Sequence, residues 1–184
     1  TGLAGAGDIL DFDLNTDATF DVLGQPVNIA NGDSIVIYNQ GFPGVSDVYD
    51  TGPLTSRRFA VAGTLLNNIA FTPTATPFPF RSPGNRFQIV GTAVSYECAP
   101  DAANPLNGRL IRYSNYAIQQ IQPAPFGSLP GLVTATLANN ISACTMTFAP
   151  AVLQRHGMVS IFLTISKDGE TVSLQHQVVV NNSP

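Results

Sequence analysis

The sequence has no tryptophan, a single lysine (Lys167) and few charges, since only 11% of its 184 residues are Asp, Glu, Lys or Arg. Ordinary soluble domains have about 25% charged residues. Hydrophobic residues nevertheless make up 44% of the chain, which argues against intrinsic disorder. The basic residues are dispersed and form no cluster, so the composition also argues against a nucleic-acid-binding protein.

Long hydrophobic runs are missing as well. Residues 59–80 and 113–154 lack charge, but prolines, asparagines and threonines interrupt both stretches, and glutamines also interrupt the second. A membrane-spanning helix needs about 20 predominantly apolar residues, so neither stretch predicts one. Residues 1–7 have no basic residue and no apolar core of a secretory signal. The sequence therefore predicts a soluble chain, and the start at Thr1 is interpreted as the boundary of a processed or truncated protein.

The 16 glycines and 14 prolines favour a fold rich in turns, because both residue types interrupt helices. Hydrophobic residues alternate with polar ones in many short segments, and no segment has the period of a long helix. We therefore expect a mainly β fold of antiparallel sheets with long loops, and a single domain over residues 1–184. The predicted strands are residues 10–14, 34–38, 59–62, 68–71, 87–98 with a bend at Gly91, 109–113, 132–137, 144–148, 159–165 and 172–180.

Turn signals and two histidines complete this prediction. Asn107-Gly108 and Asp168-Gly169 are typical of hairpin turns, and the second predicts a C-terminal hairpin. His176 is in phase with the apolar residues of the last strand, so we expect it in the core. His156 is predicted to lie in a loop.

The charges are distributed unevenly. Residues 1–56 contain eight aspartates and no basic residue, for a net charge of −8, whereas residues 57–184 have a net charge of +4. Such asymmetry indicates either head-to-tail contacts between copies or a solvated acidic loop, and we favour the loop. The spacing of Asp11, Asp13, Asn15 and Asp17 resembles the start of a calcium loop. Thr16 stands where that loop needs glycine, so we expect no calcium site.

Two cysteines, Cys98 and Cys144, have no CxxC spacing. They fit either free thiols of a cytosolic protein or one disulfide of an exported protein. The single lysine and the many Thr, Asn and Gln residues favour export.

Motifs for catalysis are scarce. There is no G-x-S-x-G sequence for a nucleophilic serine and no phosphate-binding glycine loop after a strand. A hydrolase would need His156 or His176 beside a carboxylate. A secreted carbohydrate-binding or adhesive β-domain is an alternative, with an aromatic platform drawn from Tyr38, Tyr49, Tyr113 and Tyr116.

Five segments together resemble a known family. They are PFRSPGNRFQIV at 79–90, VSYEC at 94–98, RLIRYSNY at 109–116, ISAC at 141–144 and GETVSLQHQVVVNN at 169–182. In combination they resemble minor pilins of the mannose-sensitive haemagglutinin (MSHA) type IV pilus, which are related to the pseudopilins of type II secretion. The resemblance extends from about residue 30 to the end of the chain.

This resemblance implies a non-enzymatic assembly protein. It implies that the chain is the periplasmic head of a subunit whose N-terminal helix, missing here, anchors it in the inner membrane of a Gram-negative cell. The expected partners are the other major and minor pilins of the filament, with no small-molecule substrate, cofactor or metal. It also implies a disulfide between Cys98 and Cys144, because both match the paired cysteines of the family.

Overall fold

The structure is a computed structural model of the chain, and it describes residues 7–25, 27–30, 32–42, 44–50, 59–65, 67–72, 78–149 and 157–180. In these residues the chain forms β-strands, one 3₁₀ turn at Pro105–Asn107 and no α-helix. All strand pairs are antiparallel. The prediction of a mainly β fold is therefore confirmed. Within the same residues, no helix has the length and hydropathy to cross a membrane.

The strands match most of the predicted segments. They are β1 (Thr19–Asp21), β2 (Ser34–Val36), β3 (Phe59–Leu65), β4 (Asn68–Phe71), β5 (Gln88–Val90), β6 (Ala93–Ala99), β7 (Arg109–Tyr116), β8 (Val133–Asn139), β9 (Ile141–Ala149), β10 (Gly157–Lys167) and β11 (Glu170–Val180).

The chain divides into two compact units. The first unit lies within Thr1–Thr92 and Ile118–Pro123, and the second lies within Ala93–Ala117 and Ala124–Ser183. A single domain over residues 1–184 stays a prediction.

The first unit contains a five-stranded sheet in the order β1-β4-β3-β2-β5. Apolar residues alternate along its strands, so that one row faces a common core. Phe20, for example, lies between Phe71 and Phe87, with ring centroids 6.3 and 5.1 Å away. The buried core comprises Phe20, Ile35, Ile37, Ile69, Phe71 and Phe78.

The strand predicted over residues 10–14 is wrong, because this segment forms turns. The backbone N–H of Leu14 donates to the carbonyl of Asp11, and that of Asp17 donates to the carbonyl of Leu14. The Asp17 carboxylate accepts the N–H of Asp11, and the Asp11 carboxylate accepts the N–H of Asp13. Aspartate side chains compete in this way with ladder hydrogen bonds, so alternation alone did not produce a strand.

The second unit contains two three-stranded sheets, in the orders β6-β7-β8 and β11-β10-β9. The predicted bend at Gly91 is confirmed, because β5 ends at Val90 and β6 begins at Ala93 in a different sheet. Asn107-Gly108 does lie between the paired strands β6 and β7. However, Gly108 has a φ of −69° and follows the 3₁₀ turn, so the connection is a longer loop instead of a two-residue hairpin turn.

One residue connects the two sheets of the second unit. β8 ends at Asn139 and β9 begins at Ile141, so the chain crosses at Asn140, whose φ is 61°. The N–H of Ile141 donates to the Gly108 carbonyl, and the Ile141 carbonyl accepts the N–H of Asp101. The loop between β6 and β7 therefore lies against the start of β9.

The C-terminal hairpin is confirmed. β10 and β11 pair from Lys167↔Glu170 at the turn to Gly157↔Val180 at the open end, without a register shift. Asp168 and Gly169 form the turn with φ values of 53° and 83°. Positive φ at both positions is the requirement of a type I′ turn, which matches the twist of the flanking strands.

Candidate functional site

A disulfide joins the two sheets of the second unit. Cys98 on β6 is bonded to Cys144 on β9, with their Cα atoms 6.2 Å apart and 46 positions apart in sequence. The pairing implied by the family resemblance is therefore present, and both cysteines of the sequence are used in it.

The sheet of β9, β10 and β11 has one strongly apolar face. Directly opposed residues on neighbouring strands project to the same side of a sheet. The register places four rows on this side, which are apolar except for His176. The rows are Phe148–Val159–Val178, Met146–Ile161–His176, Cys144–Leu163–Leu174 and Ile141–Ile165–Val172. We call this surface the apolar sheet face.

Burial changes sharply across the apolar sheet face. Ile141 on β9 and Leu163 on β10 are buried, with 0% and 8% of their surface exposed. On β11, Val172 and Leu174 are 68% and 60% exposed. Large apolar patches that remain exposed mark interaction surfaces in soluble proteins. The exposed half of the face consists of the β11 residues of these rows together with Phe148 and Ile165, which are 62% and 37% exposed. It is the strongest candidate functional surface among the described residues.

His176 lies on β11, in the exposed half of the apolar sheet face. The prediction that it lies in the core is therefore wrong. It pairs with Ile161 and is exposed, because the whole strand from Glu170 to Val179 is exposed at the edge of the sheet. His156 falls outside the described residues, so its predicted loop position stays a prediction.

The other sheet of the second unit carries a polar and aromatic cluster. The Tyr113 hydroxyl donates to a carboxylate oxygen of Glu97 at 2.6 Å. This hydrogen bond stabilises the protonated phenol and raises the pKa of Tyr113 above its usual value. The Tyr113 ring stacks on Phe126 with centroids 4.1 Å apart, and Tyr116 is buried, with its hydroxyl 2.7 Å from Ser95 Oγ.

The four tyrosines considered for a carbohydrate platform are distributed over both units. Tyr38 and Tyr49 belong to the first unit, and Tyr38 has its ring against Phe80 with centroids 6.3 Å apart. Tyr113 and Tyr116 belong to the second unit, where both have ring contacts with Phe126. Tyr49 alone of the four has more than half of its surface exposed.

The acidic N-terminal region uses its carboxylates within the first unit. Asp21 accepts hydrogen bonds from Asn68 Nδ2 and from the backbone N–H of Asp8, both at 2.8 Å. The Asn68 bond, followed by the Asp8 bond, lowers the pKa of the Asp21 carboxyl below its usual value. Asp13 forms an exposed salt bridge with Arg81 at 3.1 Å. An exposed pair of this kind contributes little to stability.

The carboxylates of Asp11 and Asp17 are likewise bonded to backbone N–H groups. Within the described part of the chain, no group of three or more His, Cys, Asp or Glu side chains has the geometry to hold a metal ion.

Comparisons with known proteins add no assignment: a scan against models of protein families, a search of curated proteins and a search of solved structures each found no match.

Sequence reasoning missed the exposed half of the apolar sheet face. A signal was present in the sequence, because the apolar residues of Thr171–Val180 alternate as in a strand with one buried face. The segment also contains no Lys, Arg, Asp, Glu, Pro or Gly. Alternation predicts that one row of the strand is apolar, but it does not tell whether another element covers that row.

Proposed function

We propose that this chain is the β-rich head of a minor pilin that takes part in type IV pilus biogenesis of the MSHA type. In this proposal it packs with other pilins in the cell envelope, primes or caps the filament and acts through protein contacts instead of catalysis. The head is held in the periplasm by an inner-membrane helix encoded upstream of Thr1.

The observation that carries the proposal is the exposed half of the apolar sheet face. An exposed apolar patch on a rigid support is typical of surfaces that pack against other proteins. Here that surface lies on a three-stranded antiparallel sheet, and a disulfide fastens this sheet to the second sheet of the same unit.

Two further features are compatible with this function. The disulfide suits an oxidising compartment such as the periplasm. The five sequence segments that resemble minor pilins include β7 and β11. Strand β11 is the most exposed of the three strands that form the apolar sheet face.

The experiment is co-purification of the full-length protein with the pilins encoded beside it. The double variant Phe148→Ser/Ile165→Ser alters the apolar sheet face on β9 and β10 and leaves β11 unchanged. Phe148 is 62% exposed, so its loss should affect binding more than folding. A loss of about 1 kcal/mol of binding free energy lowers affinity roughly fivefold. Because the variant removes two apolar side chains of the face, we expect at least this loss of co-purified pilin.

The matched control is Leu106→Ser, because Leu106 is 64% exposed but lies on the 3₁₀ turn. It should co-purify like the unchanged protein. Equal recovery with the double variant would remove the proposal, as would a gene without a prepilin cleavage site and hydrophobic helix upstream of Thr1.

A further inference from the structure

The outer edge of β11 is a backbone surface separate from the apolar sheet face. In a two-residue hairpin, the residues that flank the turn exchange hydrogen bonds, and such pairs then alternate along the strands. Lys167↔Glu170 is the flanking pair here, so even-numbered residues of β11 bond to β10. The odd-numbered residues direct their N–H and C=O groups outward. They are Thr171, Ser173, Gln175, Gln177 and Val179.

This edge lacks the usual protection against strand pairing. Natural edge strands carry lysine, proline, a bulge or a covering loop. From Thr171 to Val180 the sequence contains no charged residue, proline or glycine, and the pairing with β10 has no bulge. Among the hydrogen bonds of the described residues, none outside the β10 ladder involves the backbone of Thr171–Val180.

The opposite edge of the same sheet is different. Backbone hydrogen bonds from the loop between β6 and β7 reach Ile141 at the start of β9, and the pairing of β9 with β10 has a register shift at Thr164/Ile165. The disulfide also fixes β9 to β6. Among the described residues, the β11 edge is therefore the longer and more regular of the two edges of this sheet.

The sequence of β11 is complementary to itself in the antiparallel direction. An axis at Gln175 aligns all 11 residues of the strand with those of a second copy. Val172 then faces Val178, Leu174 faces His176 and Ser173 faces Gln177 of the other copy. On the face of the even-numbered residues, apolar residues meet apolar residues or the His176 ring, except that Glu170 faces Val180. On the other face Ser173 meets Gln177 and Gln175 meets Gln175, whereas Thr171 meets Val179. No like charges oppose each other.

Hydrogen-bond geometry agrees with the same register. With the axis at Gln175, odd-numbered residues oppose odd-numbered residues, and these are the ones whose backbone groups point outward. The even-numbered residues become the non-hydrogen-bonded pairs, in which side chains approach more closely. This brings the exposed Val172 and Val178 together across the axis.

We propose that β11 pairs with β11 of a second copy of this chain, forming a symmetric dimer with one continuous six-stranded sheet. The apolar sheet faces of the two copies then lie side by side as one larger surface. This inference depends on β11 alone and does not require the proposed pilin function. A single strand edge is smaller than the roughly 800 Å² per partner of a standard interface, so the dimer is expected to dissociate on dilution.

The first test uses the whole chain in analytical ultracentrifugation from about 10 µM to 1 mM, a range suited to weak association. Gln175→Pro removes one outward N–H and leaves the hydrogen bonds to β10 intact. An edge strand tolerates proline at positions whose N–H faces solvent. Gln175→Thr keeps the N–H and is the matched control. We expect the proline variant to weaken the dimer at least about tenfold and the threonine variant to remain close to the unchanged protein. Circular dichroism checks that both variants fold.

A second test reads the register and does not depend on the proline variant. Opposed residues of a hydrogen-bonded pair have Cα atoms about 5.5 Å apart, a separation that a disulfide can span. Since both native cysteines are already paired, Gln175→Cys introduces the one free thiol and should give a covalent dimer under mild oxidation. Ser173→Cys is the control, because residue 173 faces residue 177 of the other copy.

Several outcomes would overturn the inference. A chain that stays monomeric throughout the concentration range has no such dimer. A dimer that forms equally well with Gln175→Pro uses another surface. Equal crosslinking of Gln175→Cys and Ser173→Cys contradicts the proposed axis. None of these results changes the expected co-purification with pilins, because the variants of that experiment lie on β9 and β10.

Discussion

At least six of the eight aspartates in residues 1–56 accept a hydrogen bond from a backbone N–H. They are Asp11, Asp17, Asp21, Asp33, Asp47 and Asp50. Aspartate is favoured at such positions because its short side chain satisfies donors that a turn leaves without a backbone partner. Five of the six accept an N–H from two to six residues away, as in local turns, whereas Asp21 on β1 accepts that of Asp8 thirteen residues away.

Asp21 on β1 gives a test of how one of these carboxylates contributes to acid stability. Its carboxylate is stabilised by Asn68 and Asp8 in the folded state, so its folded pKa lies below the unfolded value. The stabilisation is present above the unfolded pKa of about 3.9 and is lost as the pH falls through the lower folded pKa. We expect Asp21→Asn to make stability less dependent on pH below about 4, as measured by urea unfolding between about pH 6 and 3.

The control is Asp168→Asn, because Asp168 is exposed at the β10–β11 turn and asparagine tolerates its φ of 53°. The free energy of unfolding of this variant should depend on pH in the same way as that of the unchanged protein. If Asp21→Asn loses stability on acidification as steeply as the unchanged protein, the Asn68 and Asp8 bonds have no part in acid stability.

At the scale of elements, the contact between the β6–β7 loop and β9 depends on a missing side chain. A Cβ atom built on Gly108 would collide with the carbonyl oxygen of Ile141 and would lie 2.8 Å from its carbonyl carbon. Gly108 has an ordinary φ of −69°, so the requirement for glycine comes from space and not from backbone conformation.

We therefore expect Gly108→Ala to lower the free energy of unfolding by at least about 2 kcal/mol, since backbone must move to admit the methyl group. Chemical denaturation followed by circular dichroism measures this change. Gly127→Ala is the matched control, because a Cβ at Gly127 meets no atom within 4 Å. Similar stability of the two variants would contradict the close approach.

Most strands could be predicted from the sequence because period-2 alternation follows directly from strand geometry. The hairpin turn at Asp168-Gly169 was also predictable, because few residues adopt positive φ easily. The segment 10–14 could not be distinguished from a strand, since its alternation is real but its backbone donors bond to aspartates. The prediction of a two-residue hairpin turn at Asn107-Gly108 was also wrong. Here the backbone of the loop forms hydrogen bonds with Ile141, which is distant in sequence.

The candidate site was harder to predict than the strands. Sheet order, the exposure of β11 and the position of His176 depend on which elements lie next to each other in space. The composition favoured an exported protein and therefore a disulfide, and the family resemblance strengthened that prediction, although two cysteines without a characteristic spacing also fit free thiols.

At the scale of the molecule, the disulfide should dominate the stability of the second unit. A crosslink between positions separated by 46 residues restricts the unfolded chain by about 4 kcal/mol in the loop-entropy description. We expect Cys98→Ala/Cys144→Ala to lower the free energy of unfolding by about 2–4 kcal/mol, measured by urea denaturation under oxidising conditions.

Reduction of the unchanged protein is the control for this prediction. It should produce a similar loss, whereas reduction of the double variant should change nothing. A double variant as stable as the oxidised protein would mean that the crosslink does not limit unfolding.

The same crosslink has a mechanical consequence. When the chain is pulled from its two ends, force passes through the covalent bond between Cys98 and Cys144 and bypasses the residues between them. An extended chain spans about 3.5 Å per residue, so the 46-position separation hides roughly 160 Å of length from stretching. Strands β7 and β8 lie entirely within this protected segment, so even after the rest of the second unit is drawn out, they carry no load.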